Sequence, residues 1–303
     1  MKEKAILALH VGELGWEILR FAPHVLYLKN RHPECKLIIC TRQDRFDLYG
    51  NKAHILEPLL IDGDGDKYKG DCFRLSRFPE EQYQILCNKF KNKYSDEYDI
   101  IKTVFPKVDK INFQKKDQFN HNKMIYEFEP RPENYDLVNT WIPDDNPIVV
   151  IAPRYREKFA RNWPYWKDLY ELIYNDLALI NTTTFVLCGK SPEYIPDPFN
   201  RFFDINGFPL DENTSLIGIT IAILKRAILT VGSQSGIPNL SNLVGTPTFQ
   251  WGHEQWQHQK TYNVKNTPTT FIKVGDNKSN YSALKAKTVY KEIKRLLKKE
   301  MMK

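Results

Sequence analysis

Two stretches of this chain repeat one pattern, in which an apolar run empties into a loop, a helix-periodic segment follows, and a second apolar run closes the unit. In the first, Ala5-Ile6-Leu7-Ala8-Leu9 runs past His10 into Gly12-Glu13-Leu14-Gly15. Trp16 to Asn30 then place Ile18, Leu19, Ala22, Leu26 and Leu28 at helical spacing, and Lys36-Leu37-Ile38-Ile39-Cys40 follows. Pro23 kinks that helix or marks a new start. Apolar runs of five residues suit strands buried on both faces, and strands joined through a helix pair in parallel. This pattern excludes all-β and all-α architectures.

The second series is longer. Ile148–Ala152 reads as a strand, Trp166–Leu177 as a helix, Thr184–Cys188 as a strand and Ser215–Arg226 as an apolar helix. Ile228–Val231 is a strand that meets Gly232-Ser233-Gln234-Ser235-Gly236, with a short helix to Val244 and a strand at Thr246–Trp251 behind it. Between the two series, residues 50–135 predict a strand near His54–Ile61, a helix from Pro79 to about Tyr94 and a strand at Tyr98–Lys102. Leu137–Pro147, with Pro143, Asp144, Asp145 and Pro147, reads as a linker. The expectation is an α/β chain of two Rossmann-like domains with parallel sheets, residues 1–143 and 144–303. Ligands of such sheets sit beyond the carboxyl ends of the strands, so an interdomain cleft is the expected site.

Composition narrows the class further. No window approaches about 18 uninterrupted apolar residues, so no transmembrane segment is expected. Met1-Lys2-Glu3-Lys4 leads straight into a strand, so no signal peptide is read there. The five cysteines are scattered without a C-x-x-C pair, which fits a reduced cytoplasmic setting and supports neither a disulfide framework nor a zinc knuckle. The net charge of +7 is confined to one place. Residues 278–303 hold nine Lys and Arg against two Asp and Glu, and Leu284, Val289, Ile293, Leu296 and Leu297 recur there at helical spacing. An amphipathic helix with a solvated basic face is the plain reading; a nucleic-acid or anionic-membrane surface is the other.

Two segments carry chemistry. A strand that empties through Gly232-Ser233-Gln234-Ser235-Gly236 into a helix presents free N–H groups and serine hydroxyls to a phosphate, and Gly236 lets backbone approach it. The same loop is also an ordinary tight connection. The second segment, Ala152-Pro153-Arg154-Tyr155-Arg156-Glu157-Lys158-Phe159-Ala160-Arg161-Asn162-Trp163-Pro164, sets four cations past the end of a strand. Arg154, Lys158 and Arg161 there would neutralise a diphosphate and stabilise its departure. A solvated basic loop is the alternative.

Three metal-like patterns fail. Asp62-Gly63-Asp64-Gly65-Asp66 begins like a calcium loop, but Lys67 stands at the required glycine and Phe73 at the final acid. As an Asp-x-Asp metal site it would need a single-domain fold, which the two αβ series do not suit. His253 and His258 are five apart, which matches no helical metal pair. No metal site is therefore assigned.

Taken in order, the run from Pro153 to Trp163-Pro164, the strand ending Leu187-Cys188-Gly189, and Gln234-Ser235-Gly236, Gly245-Thr246-Pro247 and Trp251-Gly252 resemble the heptosyltransferase family of GT-B glycosyltransferases. The likeness spans residues 148–252, with a fainter echo over 1–45 through Gly12-Glu13-Leu14-Gly15. It implies an inverting, metal-independent transfer of a sugar from a nucleoside-diphosphate donor, with no further cofactor. Ser233, Gln234, Ser235 and Gly236 would hold donor phosphate, and Glu193 resembles the family's ribose-binding carboxylate. The sequence departs from the family at three points. Gln234 replaces a loop aspartate, Asn239 a histidine, and Trp16 the aspartate that serves as the proposed base. Inversion needs a group that takes the acceptor's hydroxyl proton. Glu13 and Glu17 are the candidates, with His10 behind them. Glu13 is favoured because it lies on the loop, while Glu17 lies one turn into a helix. A saccharide is the expected acceptor, a hydroxymethylated base in DNA a second, peripheral membrane contact a further partner, and a non-catalytic nucleotide-sugar-binding protein the rival.

Overall fold

A computed structural model describes residues 2–11, 17–59, 80–105, 127–142, 146–154, 162–189, 201–253, 263, 265–275 and 281–302. The chain divides into two units, Met1–Arg131 and Pro132–Lys303.

In the first unit β1 (Glu3–Leu9), β2 (Lys36–Thr41), β3 (Ile55–Pro58) and β4 (Tyr98–Val104) form one sheet in the order β3-β2-β1-β4. Every pairing is parallel. Successive side chains alternate between faces, so Ala5, Leu7 and Leu9 share a face with Ile38 and Cys40. Helix α1 (Ala22–Arg31) carries Pro23 in its first turn, where a missing N–H costs nothing. Proline therefore marks a new start rather than a kink, and the turn before it, Glu17–Phe21, is a π-helix. Helix α2 (Glu80–Tyr94) lays Tyr83, Cys87, Phe90 and Tyr94 on the β1–β2 face.

The second unit opens with α3 (Pro132–Trp141), whose second half falls within Leu137–Pro147, the stretch that reads from sequence as a linker. Its partner is α6 (Leu216–Arg226), buried from Ile217 through Leu224. Asn134 Oδ1 accepts from the Ser215 N–H at 3.0 Å, and Arg226 Nη2 donates to the Ile142 carbonyl at 3.2 Å. The prolines and aspartates after Trp141 masked a helix whose worth lies in these distant contacts.

Six parallel strands follow: β5 (Ile148–Ala152), β6 (Thr184–Leu187), β7 (Phe202–Asp204), β8 (Ala227–Ser233), β9 (Thr248–Gly252) and β10 (Thr269–Lys273). Their order is β10-β9-β8-β5-β6-β7. The chain thus winds outward from β5 in one direction, returns, and winds outward from β8 in the other. The helix expected over 166–177 is two, α4 (Trp166–Tyr174) and α5 (Leu177–Thr182), because Asp176 caps the second by accepting from the Leu179 N–H. Helix α7 (Gly236–Val244) follows β8, and α8 (Ala286–Met301) closes the chain.

One face of the sheet carries the main core. Val231, Phe249 and Trp251 meet α4 and the stripe Val289, Ile293, Leu296 and Leu297 of α8. At its centre Trp163, Trp166 and Trp251 touch pairwise, with ring centroids 4.8, 4.9 and 5.6 Å apart. Trp163 Nε1 donates to the Leu284 carbonyl at 2.7 Å, anchoring the entry to α8. The basic terminal segment is thereby a core element with a lysine-rich outer face. Among the described residues no helix is long and apolar enough to cross a membrane.

Candidate functional site

The winding of the second sheet reverses between β5 and β8, and at such a switch point the loops beyond the two strands diverge and leave room for a ligand. The two segments singled out in the sequence are those loops. Ala152 and Gly232 are register partners at the strand ends. Beyond them, Arg154 Nη1 donates to the main-chain oxygen of Gln234 at 2.9 Å. The loop after β6 approaches as well. Gly189 has φ +142°, and a Cβ on it would lie 2.4 Å from the Pro153 carbonyl oxygen, so no side chain fits. Asn206 Nδ2 holds the Gly189 carbonyl at 3.1 Å.

The loop after β8 is tightly specified. The Gln234 N–H donates to the Trp251 carbonyl at 2.8 Å, and its Oε1 accepts from the His253 N–H at 3.1 Å. Ser233 is fully buried, and its Oγ has no hydrogen-bond partner among the described residues. Ser235 is the N-cap of α7, yet its side chain makes no bond to the helix. The N–H groups of the first turn, which carry about half a positive charge, are left uncapped by it. A Cβ on Gly236 would meet nothing within 4 Å among the described residues, which leave space open over this turn. Arg154, Ser233, Gln234, Ser235 and Gly236 are thus brought together at the carboxyl end of the two central strands. Lys158, Arg161 and Glu193 lie outside the described residues.

In the first unit the winding reverses between β1 and β4, and Glu17 follows β1 closely. Its carboxylate is fully buried. Oε1 accepts from Thr41 Oγ1 at 2.8 Å and Tyr49 Oη at 2.7 Å, while Oε2 accepts from Arg45 Nη1 at 2.8 Å and lies 3.0 Å from His10 Nδ1. Burial alone would raise its pKa. The charges of His10 and Arg45, with hydrogen bonds from His10 and Tyr49, outweigh that and hold it at about 2. A carboxylate so held is a weak proton acceptor with both oxygens engaged. Glu13 lies outside the described residues, as do Asp62–Asp66 and His258. Sequence reasoning named His10 and Glu17 but missed Thr41, Arg45 and Tyr49, which come from the next strand and the 3-10 turn behind it. Their only signal was the polar run after an apolar strand.

No family model matches the sequence, and no curated protein is similar to it by sequence comparison. Solved structures are similar in fold. A glycosyl transferase family 9 protein from Veillonella parvula DSM 2008 superimposes with TM-score 0.64 at 13% identity, covering 98% of each chain. E. coli ADP-heptose lps heptosyltransferase II gives 0.65 at 12%, covering 98% of this chain and 99% of that one. E. coli heptosyltransferase WaaC with ADP-2-deoxy-2-fluoro heptose gives 0.54 at 11%, over 96% and 99%. The likeness at these identities is one of fold. It shows the fold: an α/β chain with the GT-B architecture that these glycosyltransferase structures share.

Proposed function

We propose that this protein is a glycosyltransferase that moves a sugar from a nucleoside-diphosphate donor to a hydroxyl of a saccharide, with inversion and without a metal ion. The observation that carries the reading is the Arg154–Gln234 contact at the β5/β8 switch point, which sets a cation beside the uncapped first turn of α7. Phosphate would sit over Gly236, with Ser233, Gln234 and Ser235 around it and Lys158 and Arg161 offsetting its charge. Glu193 would take the ribose. Glu13 would act as base, since the engaged carboxylate of Glu17 is poorly suited to the task. In the step itself Glu13 takes the hydroxyl proton and the acceptor oxygen bonds to the anomeric carbon. The bond from that carbon to the diphosphate breaks, and the nucleoside diphosphate leaves with the electron pair.

The rival reading is a protein that binds nucleotide-sugars without turnover. Gln234 and the buried Asn239 favour it, because they stand where the resembled family has an aspartate and a histidine. A thermal-shift screen of nucleotide-sugars, followed by an assay for donor hydrolysis, separates the two. Stabilisation by a donor that is then cleaved supports transfer, stabilisation without cleavage supports binding alone, and no stabilisation by any donor rejects both.

A further inference from the structure

We propose that His10 holds the acceptor's proton once Glu13 has taken it, with Glu17 as the residue that positions the ring. The inference rests on the transfer reading above and extends it past the base. His10 follows β1 directly, at the carboxyl end of a strand where the winding of the first sheet reverses, and its N–H still donates to the Cys40 carbonyl at 2.9 Å. Its side chain is fully buried, with the Phe21 ring 4.8 Å away between centroids. Glu17 Oε2 lies 3.0 Å from Nδ1. The other contacts of this carboxylate, Thr41 Oγ1, Tyr49 Oη and Arg45 Nη1, all donate to it. It is therefore charged, with its pKa held at about 2. A proton on Nδ1 is attracted by that oxygen, whereas a lone pair there would be repelled. The neutral ring thus carries its proton on Nδ1 and its lone pair on Nε2.

Nε2 is buried and has no hydrogen-bond partner among the described residues. A buried acceptor left unpaired is costly, and an arriving proton removes the cost. The imidazolium so formed faces the Glu17 carboxylate. Arg45, on the far side of the same oxygen, draws on that charge too, so the proton is held but can be given up again. Tyr83 of α2 is spent on the neighbouring Val11 carbonyl at 2.9 Å. A fully buried nitrogen is closed to a saccharide, so the proton has to come through the protein. Glu13 is three residues along the chain, within about 11 Å of backbone. An ordinary glutamate titrates near ~4.3 and an ordinary imidazole near ~6.5, so imidazole is the better keeper of a proton at neutral pH. In the step the O–H bond of protonated Glu13 breaks and an N–H bond forms at Nε2. Glu13 is again a carboxylate, and the imidazolium loses its proton to water after the product has left.

Nitrogen-15 NMR of the full chain labelled at histidine reads the tautomer without any ligand. The His10 signals, assigned by their absence from His10→Gln, should show the proton on Nδ1 and none on Nε2 at neutral pH. A proton on Nε2 overturns the inference whatever the variant does. Hydrolysis of ADP-glucose, UDP-glucose and GDP-mannose, with water as the acceptor, then tests the relay. For whichever donor turns over, His10→Gln should lower kcat about ten- to a hundredfold, less than loss of the base itself. It should also move the acid limb of kcat to lower pH, because glutamine hydrogen-bonds but takes up no proton, and should leave donor affinity as in wild type. A lower kcat with an unmoved acid limb, or an unchanged kcat, makes His10 a structural residue and overturns the inference while the transfer reading stands. Wild type that turns over none of the three donors removes the transfer reading and the inference with it.

Discussion

His10 and Glu17 meet at 3.0 Å, Nδ1 to Oε2, from opposite sides of the six residues that separate them in sequence. Both side chains are fully buried, and Arg45 lies on the far side of the same carboxylate oxygen at 2.8 Å. The pair fixes where the chain leaves β1 and where it re-enters a helix, and Glu13 lies between. Glu17 is on this account a holder of the segment rather than its reacting group.

Replacement of Glu17 by Gln should then cost stability first. It removes the charge that faces buried Arg45 and His10, and breaking a buried pair costs about 3–5 kcal/mol. Urea unfolding of the first unit measures it. A loss below about 1 kcal/mol would mean that solvent already reaches the cluster.

Glu13→Gln should leave stability alone and lower kcat by about 10²–10⁴, with donor affinity nearly unchanged, as removal of a general base does. The same kinetic loss in Glu17→Gln but not in Glu13→Gln would move the base one turn into the helix. No effect of either would favour the binding-only reading.

Acid should act in two stages. Burial, and then the nearby Lys102 charge, lower the His24 pKa to about 4. His24 in the unfolded chain takes up its proton near pH ~6.5, so its contribution is present above that pH and is lost as pH falls toward 4. The contribution of Glu17 is present above its unfolded value near ~4.3 and is lost as pH falls toward 2. Stability measured against pH should fall through both windows, and Glu17→Gln should flatten the lower one only.

Much of this arrangement could be read from residues alone, for a physical reason. Strands buried on both faces, such as Ile148–Ala152, announce themselves as unbroken apolar runs, and Gly232–Gly236 marks where one ends. The fold class and the loop after β8 depend on such local signals. The second half of helix α3 reads as linker because the helix draws its stability from Asn134 meeting Ser215 and Arg226 meeting Ile142, contacts across about eighty positions. The partners of Glu17 were hidden likewise, since Thr41, Arg45 and Tyr49 come near it only once β2 has paired with β1. Beta-strands as short and half-exposed as β10 leave no periodicity to find.

Gly236→Val should fold, because its side chain enters open space, and should still bind nucleoside diphosphate at least roughly tenfold more weakly, about 1.4 kcal/mol. Gly189→Ala should do the opposite and lose stability, since its Cβ would collide with the Pro153 carbonyl. Circular dichroism with calorimetry checks both. Normal nucleotide affinity in a folded Gly236→Val protein would remove the phosphate from this turn.

The three indoles at the heart of the second unit have an optical consequence. Trp251 lies under the loop that Gln234 begins, joined to it through the Gln234 N–H, and Trp163 ends the segment that Arg154 begins. Chromophores at centroid separations of 4.8 to 5.6 Å exchange excitation, so their transitions mix and no longer belong to single rings. The protein therefore carries its own spectroscopic ruler, in which a small displacement of either loop changes the coupling between rings and the sign and size of their circular dichroism. Any ligand that shifts these two loops can therefore be followed in unlabelled protein.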